Sequence, residues 1–147
     1  MKIKGIQIYQ PEVHTDYRGD LWTVWNNQFV PNGLNYNHDK VSTSRKNVIR
    51  GIHGDLKSHK LVTWKDSPTY LQWDHIILDD KKRIQLLIPP GVGNGFCVLS
   101  DESVFHYKWS YDGEYPDVDE QFTIKWNDPK IGINWPISDP ILSKRDK

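Results

Sequence analysis

The chain has 147 residues and equal numbers of basic and acidic side chains, 19 of each. A chain of this length is expected to form a single domain, residues 1–147, with enough material for a hydrophobic core. Without net charge, the protein has no long-range attraction for nucleic acid or an anionic membrane, so we expect neither as a partner. Cys97 is the only cysteine, which excludes an intrachain disulfide and suits a reducing cytoplasm.

Short β-favouring runs alternate with turn signals along the chain, and helical periodicity is nearly absent. In chain order the predicted strands are Leu21–Trp25, Val48–Ile52, His59–Trp64, Arg83–Ile88, Gly95–Leu99, Ser103–Trp109 and Gln121–Trp126. Many short strands separated by turns are typical of an all-β sandwich or barrel. No apolar run approaches the length of a membrane span. The segment after Pro136 is predicted to be a loop or short helix folded back on the barrel.

Several short motifs follow one another in a distinctive order. They are Asp16-Tyr17-Arg18-Gly19, Arg50-Gly51-Ile52-His53, Ile88-Pro89-Pro90-Gly91, Trp126–Pro136 and Leu142-Ser143-Lys144-Arg145-Asp146. Together they resemble the cupin-fold sugar-nucleotide epimerases of the dTDP-4-dehydrorhamnose 3,5-epimerase type. The resemblance implies a jelly-roll β-barrel and inversion of C3, C5 or both in an NDP-4-keto-6-deoxy sugar. It also implies cofactor-free chemistry in the cytoplasmic synthesis of bacterial capsule or O-antigen precursors.

Inverting a carbon beside a ketone requires a base, a group that stabilises the enolate oxygen and an acid on the opposite face. His53 suits the base, because an unperturbed imidazole titrates near neutral pH. By resemblance, Asp146 is the carboxylate that orients His53. Without the motif, Asp146 would be interpreted as a solvated carboxylate near the end of the chain.

The resemblance also assigns the remaining catalytic roles. Lys60 matches the lysine placed near the substrate ketone, and Tyr107 matches the tyrosine that returns the proton. The alternatives are a surface lysine on a strand and an aromatic residue of the barrel wall. Tyr111 and Tyr115 both lie near enough to be a second pocket tyrosine; of the two, Tyr115 is our candidate.

Four further residues are candidates for substrate binding. Arg18 and Arg50 resemble arginines that hold the diphosphate, which suits the two-pronged geometry of a guanidinium group. Ser42 and Ser44 correspond to polar residues that approach the sugar, although both are equally compatible with ordinary strand-edge serines.

A catalytic metal is not expected. Metal-binding cupins place two imidazoles two residues apart on one strand, where they face the same side. Gly51 and Asp55 occupy those positions relative to His53, and the later histidine position is Asn94.

The chain departs from the family pattern after Thr63. The family continues through two strands before reaching Ser-Pro-Thr-Tyr, whereas here Ser67–Tyr70 follows almost at once. About a dozen residues, enough for two short strands, are therefore predicted to be missing. The loss would remove a pocket aspartate and part of the barrel wall.

A second departure concerns the nucleotide. His38-Asp39-Lys40 stands where thymidine-binding members have a Gln-x-Asn pair. His53 is followed by Gly54-Asp55, where the common form has an aromatic residue and Gln, and Gly93-Asn94-Gly95 replaces Ala-His-Gly. This combination resembles the branch acting on GDP-linked keto-heptoses, so the substrate is expected to be a dTDP- or GDP-linked sugar.

Two alternative functions stay open at this point. One is a non-catalytic sugar-nucleotide-binding protein derived from an epimerase, and the other is a 3,4-ketoisomerase on the same fold. The family resemblance also implies a homodimer. Ile3–Tyr9 alternates apolar and polar residues, which predicts an edge strand either exchanged with a partner or kept within its own barrel.

Overall fold

The computed structural model describes residues 3–26, 28, 35–54, 67–110 and 121–147. Within these ranges the regular structure consists of short β-strands and no α-helix. The nine strands are β1 (Gln7–Tyr9), β2 (Val13–Asp16), β3 (Gly19–Trp22), β4 (His38–Arg45), β5 (Ile49–Gly54), β6 (Gln85–Leu87), β7 (Asn94–Cys97), β8 (Glu102–Trp109) and β9 (Phe122–Thr123). No helix of the described ranges is long and apolar enough to cross a bilayer.

The nine described strands pair with one another only in antiparallel fashion. β1 pairs with β6, β2 forms a hairpin with β3, and β4 pairs along its whole length with β8. β5 is the centre of a three-stranded sheet, between β7 and β9. The N-terminal strand therefore pairs within its own chain, which is one of the two arrangements expected for it.

The hydrophobic core of the described residues is small and centres on β5. Ile49 and Ile52 of β5 are buried together with Val98 and Ile3. A Cβ atom at Gly93 would lie 2.7 Å from Cγ2 of Ile52, so a side chain at Gly93 would displace this part of the core.

A glycine is also required at position 51, because β5 and β7 pack closely together there. Its φ of +122° is rarely adopted by residues with a side chain, and a Cβ atom there would lie 2.5 Å from Cα of Gly95. β5 and β7 can approach this closely only because both residues lack side chains.

The β2–β3 hairpin is fastened to the segment before β6. Arg83 donates a 2.6 Å hydrogen bond to Asp20, and its guanidinium lies over the ring of Trp22. Thr15 also donates to Asp20, and the bonds from Thr15 and Arg83 lower the pKa of this carboxyl. The hairpin is thereby held in one orientation.

Six of the seven strands predicted from β-favouring runs coincide at least partly with observed ones, and the predicted edge strand Ile3–Tyr9 contains β1. The predicted strand His59–Trp64 lies outside the described residues, and β2 and β4 were not predicted. The segment after Pro136 is a loop with an isolated β-bridge and a terminal turn, which agrees with the loop alternative.

Candidate active site

His53, near the end of β5, faces the carboxylate of Asp146. Nε2 of the imidazole lies 2.5 Å from Oδ1 of Asp146, and Ser143 donates from Oγ to Oδ2 over 2.8 Å. The side chain of Asp146 is 3% exposed and that of His53 is 27% exposed. The fold thus brings together two residues that are 93 positions apart.

The contact with Asp146 determines which nitrogen of the His53 ring can take up a proton. An ionised carboxylate can only accept hydrogen bonds, so the proton between the two groups belongs to Nε2 of His53. The neutral ring then carries its lone pair on Nδ1, the nitrogen that can take up a proton. A buried carboxylate also stabilises the imidazolium that results. The pair has the composition of a histidine base with an orienting carboxylate.

The C-terminal tail reaches His53 because it starts beside β5 and runs in the same direction. Ile141 forms a parallel bridge with Val48. The Ile141 amide donates to Asn47 over 2.8 Å, and the Ile49 amide donates to Ile141 over 3.2 Å. Beyond this bridge the tail turns, with the Asp146 amide donating to the Ser143 carbonyl oxygen over 3.2 Å, and the turn ends with the Asp146 carboxylate against the ring of His53.

An irregularity in β5 turns Arg50 and His53 toward the same side of the sheet. In a regular strand, residues three apart point to opposite faces. Here Arg50 pairs with Phe96 and His53 pairs with Asn94, so β5 has one residue more than β7 over this stretch. Because Phe96 and Asn94 are two apart on β7, they share a face, and so do their partners.

Arg50 extends from β5 to β4. Its Nε donates to Oγ of Ser44 over 2.9 Å, and its Nη2 donates to the carbonyl oxygen of Thr43 over 3.1 Å. Ser44 is buried, with 6% exposure. The contact fixes the guanidinium between the two sheets and places two of the sequence candidates, Arg50 and Ser44, side by side.

The less exposed face of the β4–β8 pair carries two further candidates. Ser42 lies opposite Phe105, and Tyr107 follows Phe105 on the same side of β8. Phe105 stacks on Phe96 of β7, with ring centroids 4.5 Å apart. This stack joins the Tyr107 face to the Arg50 and His53 face, so the space between the sheets contains base, acid and polar candidates together.

Arg18 is not brought to this space within the chain. It lies in the turn between β2 and β3, is 75% exposed, and forms an ion pair of 2.6 Å with Asp16. Hydrogen bonds from Arg18 lower the pKa of the Asp16 carboxyl. Two other candidates, Lys60 and Tyr115, lie outside the described residues.

Two residues near the candidate site, Lys40 and Ser143, were not predicted from the sequence. Lys40 lies directly opposite Tyr107, on the less exposed face of β4. Alternate residues of β4 from His38 to Ser44 share that face, and all of them are polar. This alternation was the available signal for Lys40, because polar residues on an inward face indicate a pocket. Ser143 had no comparable signal.

The described side chains bonded to one another at His53 are those of Asp146 and Ser143. Asn94 pairs with His53 in register, at the position where a metal-binding cupin would supply a histidine. Within the described ranges, no three His, Cys, Asp or Glu side chains are grouped closely enough to hold a metal ion.

Comparison with known proteins identifies the family. The family model for dTDP-4-dehydrorhamnose 3,5-epimerase matches residues 1–66 and 62–147. The chain is 34% identical to the dTDP-4-dehydrorhamnose 3,5-epimerase of Methanothermobacter thermautotrophicus, over 99% of the chain and 88% of that protein. It is also 34% identical to the Shigella flexneri enzyme, over 99% of the chain and 90% of the relative.

Solved structures show the same architecture. The Legionella pneumophila epimerase, in complex with dTDP-4-keto-L-rhamnose, superposes with a TM-score of 0.85 at 26% identity, over 99% of this chain and 87% of that one. The Bacillus anthracis enzyme, with TDP and PPi bound, gives a TM-score of 0.83 at 28% identity, over 99% and 93%. The expected all-β cupin jelly roll is confirmed.

The comparisons also support the predicted deletion. The alignment with the M. thermautotrophicus enzyme spans 166 positions, 19 more than the 147 residues of this chain. At least that many positions of the relative have no counterpart here. The family model matches in two segments that overlap at residues 62–66, immediately around Thr63. With a matching family model along its length and relatives that it covers almost completely, the chain belongs to the dTDP-4-dehydrorhamnose 3,5-epimerase family.

Proposed function

We propose that this protein is an epimerase that inverts C3, C5 or both in a dTDP-linked 4-keto-6-deoxy sugar. The observation that carries the proposal is the contact between His53 and the buried carboxylate of Asp146. A base of this kind suits removal of the proton from a carbon beside a ketone. The names of the relatives that are 34% identical support the substrate class. The single cysteine is compatible with the reducing cytoplasm, where we place the activity.

The proton is removed and returned by residues on opposite sheets. Nδ1 of His53 takes the α-proton, while Asp146 stabilises the imidazolium through Nε2. The ammonium of Lys60 stabilises the enolate oxygen in this proposal. Tyr107 returns a proton to the other face of the carbon. This role of Tyr107 is supported by the stack of Phe105 on Phe96, which joins β8 to the sheet that contains β5.

The nucleotide and sugar are held by charged and polar side chains of the same space. Arg50 is anchored to β4 through Ser44 and Thr43, which orients its guanidinium for a diphosphate. Ser42 and Ser44 approach the sugar, and Tyr115, which lies outside the described residues, is our candidate for a second tyrosine in substrate binding. Lys40, opposite Tyr107, adds a positive charge on this side.

The proposal is tested by incubating the protein in D₂O with a 4-keto-6-deoxy sugar linked to dTDP or to GDP, and recording NMR spectra. We expect deuterium at C3, C5 or both, with dTDP as the preferred carrier. The carbons that acquire deuterium identify the centres that react. Preference for GDP would contradict the dTDP assignment and favour the branch with GDP-linked keto-heptoses.

A specific observation favours one alternative. The Methanothermobacter thermautotrophicus relative has at least 19 positions that this chain lacks, counted from 166 aligned positions against 147 residues. A pocket shortened in this way could retain binding and lose chemistry. Tight binding of either sugar nucleotide without deuterium uptake would contradict the epimerase proposal and support a sugar-nucleotide-binding protein. Migration of the keto group to C3 would instead support a ketoisomerase.

We further propose that the protein is a homodimer in which Arg18 completes the site of the partner subunit. Arg18 projects from a hairpin that is held rigidly by Arg83. The same hairpin exposes Tyr17 and Leu21, at 96% and 72%. Large apolar side chains exposed together are typical of a surface covered by another chain, and a second copy is the simplest occupant.

Mixing two inactive variants tests this arrangement. After mixing, half of the dimers should combine one Arg18→Ala subunit with one His53→Asn subunit. If Arg18 acts across the interface, one site of each mixed dimer is intact, and about a quarter of the wild-type activity returns. Light scattering provides the molecular mass. A monomer, or no recovery despite exchange of subunits, would contradict the proposal.

A further inference from the structure

We propose that Arg145 is a positioning residue that fastens the C-terminal tail to β9 and thereby keeps Asp146 in contact with His53. Arg145 does not touch the reacting atoms in this scheme. Its effect on catalysis rests on the function proposed above, whereas its effect on the contact between His53 and Asp146 does not.

The guanidinium of Arg145 donates hydrogen bonds to β9 and to the residue that precedes it. Nε donates to Oγ1 of Thr123 over 2.8 Å, and Nη1 donates to Oε1 of Gln121 over 3.1 Å. Thr123 is the register partner of His53, so the attachment point lies on the strand that pairs with β5 at the catalytic histidine. A displacement of Arg145 would therefore be felt directly at Asp146.

The tail needs such an attachment because it does not pair with the end of β5 that contains His53. That end pairs with β9. Within the described ranges, the last backbone hydrogen bonds that join the tail to another segment are those of Ile141. Farther along, β5 is paired with β9: the amides of Ile52 and Ile124 each donate to the other's carbonyl oxygen. The tail therefore cannot continue in the sheet. The backbone bond between Asp146 and Ser143 is internal to the tail and fixes only the shape of the turn.

Arginine suits this position better than lysine. Its planar fork can reach two acceptors at once, while an ammonium group acts as a single point charge. Nη2 of Arg145 is buried and has no hydrogen-bond partner among the described residues. The bonds to Thr123 and Gln121 therefore carry the attachment.

Kinetics of five variants, four single and one double, test the proposal. Arg145→Ala is expected to lower kcat by about 10–100-fold with little change in KM, because displacement of a catalytic group by about 1 Å has effects of this size. Arg145→Lys should recover part of the loss. Thr123→Val removes one acceptor at nearly constant volume, and combining it with Arg145→Ala should add little. Lys144→Ala, an exposed change in the same turn, should behave as the wild type.

A spectroscopic measurement separates positioning from the proposed activity. The proton between His53 Nε2 and Asp146 should give a downfield resonance in the wild type that disappears in Asp146→Asn. We expect Arg145→Ala to weaken or broaden this resonance, and Lys144→Ala to leave it unchanged. If the wild type shows the resonance but no deuterium exchange, loss of the signal in Arg145→Ala still supports the positioning role while the proposed function fails.

Two outcomes would overturn the inference. One is an Arg145→Ala variant that keeps both the resonance and full kcat. The other is a variant that keeps the resonance while KM rises, since this would assign Arg145 to substrate binding. If Arg145→Ala fails to fold, Arg145→Lys and Thr123→Val carry the same test, and unchanged kcat and resonance in both would reject the proposal.

Discussion

Replacing His53 with asparagine is expected to lower the rate of α-proton exchange by about 10²–10⁴-fold, the range that a positioned general base contributes. The amide keeps polar atoms close to the ring position but cannot take up a proton near neutral pH. Binding of the sugar nucleotide should persist, because Arg50 and the serines of β4 are untouched. Deuterium incorporation followed by NMR, together with binding measured by calorimetry, checks both expectations.

The chain contains a matched control for this experiment. His106 pairs with Asp39 through Nε2 and Oδ1 at 2.5 Å, the same atoms and distance as the pair of His53 and Asp146. His106 lies on the more exposed face of β8, away from Tyr107. His106→Asn should therefore leave exchange unchanged. An equal loss in both variants would mean that the effect comes from general destabilisation and would remove the support for His53 as the base.

Prediction from sequence worked where apolar residues alternate with polar ones. β8 was predicted as Ser103–Trp109 and is observed as Glu102–Trp109, with Phe105 and Tyr107 on its less exposed face. β4 was missed because its pattern is inverted: Val41 is 63% exposed, whereas Ser44 is buried. A strand with polar residues on its less exposed face gives no hydrophobic signal, so the strand that carries Lys40, Ser42 and Ser44 was not predicted.

The site itself depended on the family resemblance. Nothing local in the sequence indicates that Asp146 meets His53, because the parallel bridge between Ile141 and Val48 is a long-range contact. The common orientation of Arg50 and His53 likewise follows from the register of β5 against β7. Gly51 gave a partial hint, since a glycine inside a strand often marks a bulge or a close backbone approach.

The contact between His53 and Asp146 leads to a second prediction of large effect. Asp146→Asn is expected to lower kcat by about 10³–10⁴-fold, as in other enzymes where an amide replaces the carboxylate behind a histidine base. If the amide nitrogen faces Nε2, the ring must carry its proton on Nδ1 and cannot act as the base. If the amide oxygen faces Nε2, the tautomer survives, but no negative charge stabilises the imidazolium.

Ser143→Ala distinguishes these effects from a loss of packing. It removes the 2.8 Å hydrogen bond to Oδ2 of Asp146 but keeps the carboxylate and its charge. Steady-state kinetics of both variants should show a much smaller loss of kcat for Ser143→Ala, with KM nearly constant in each. Thermal unfolding identifies any variant whose loss reflects a damaged fold. Equal losses in two well-folded variants would mean that the geometry of the tail, rather than the charge of Asp146, controls the base.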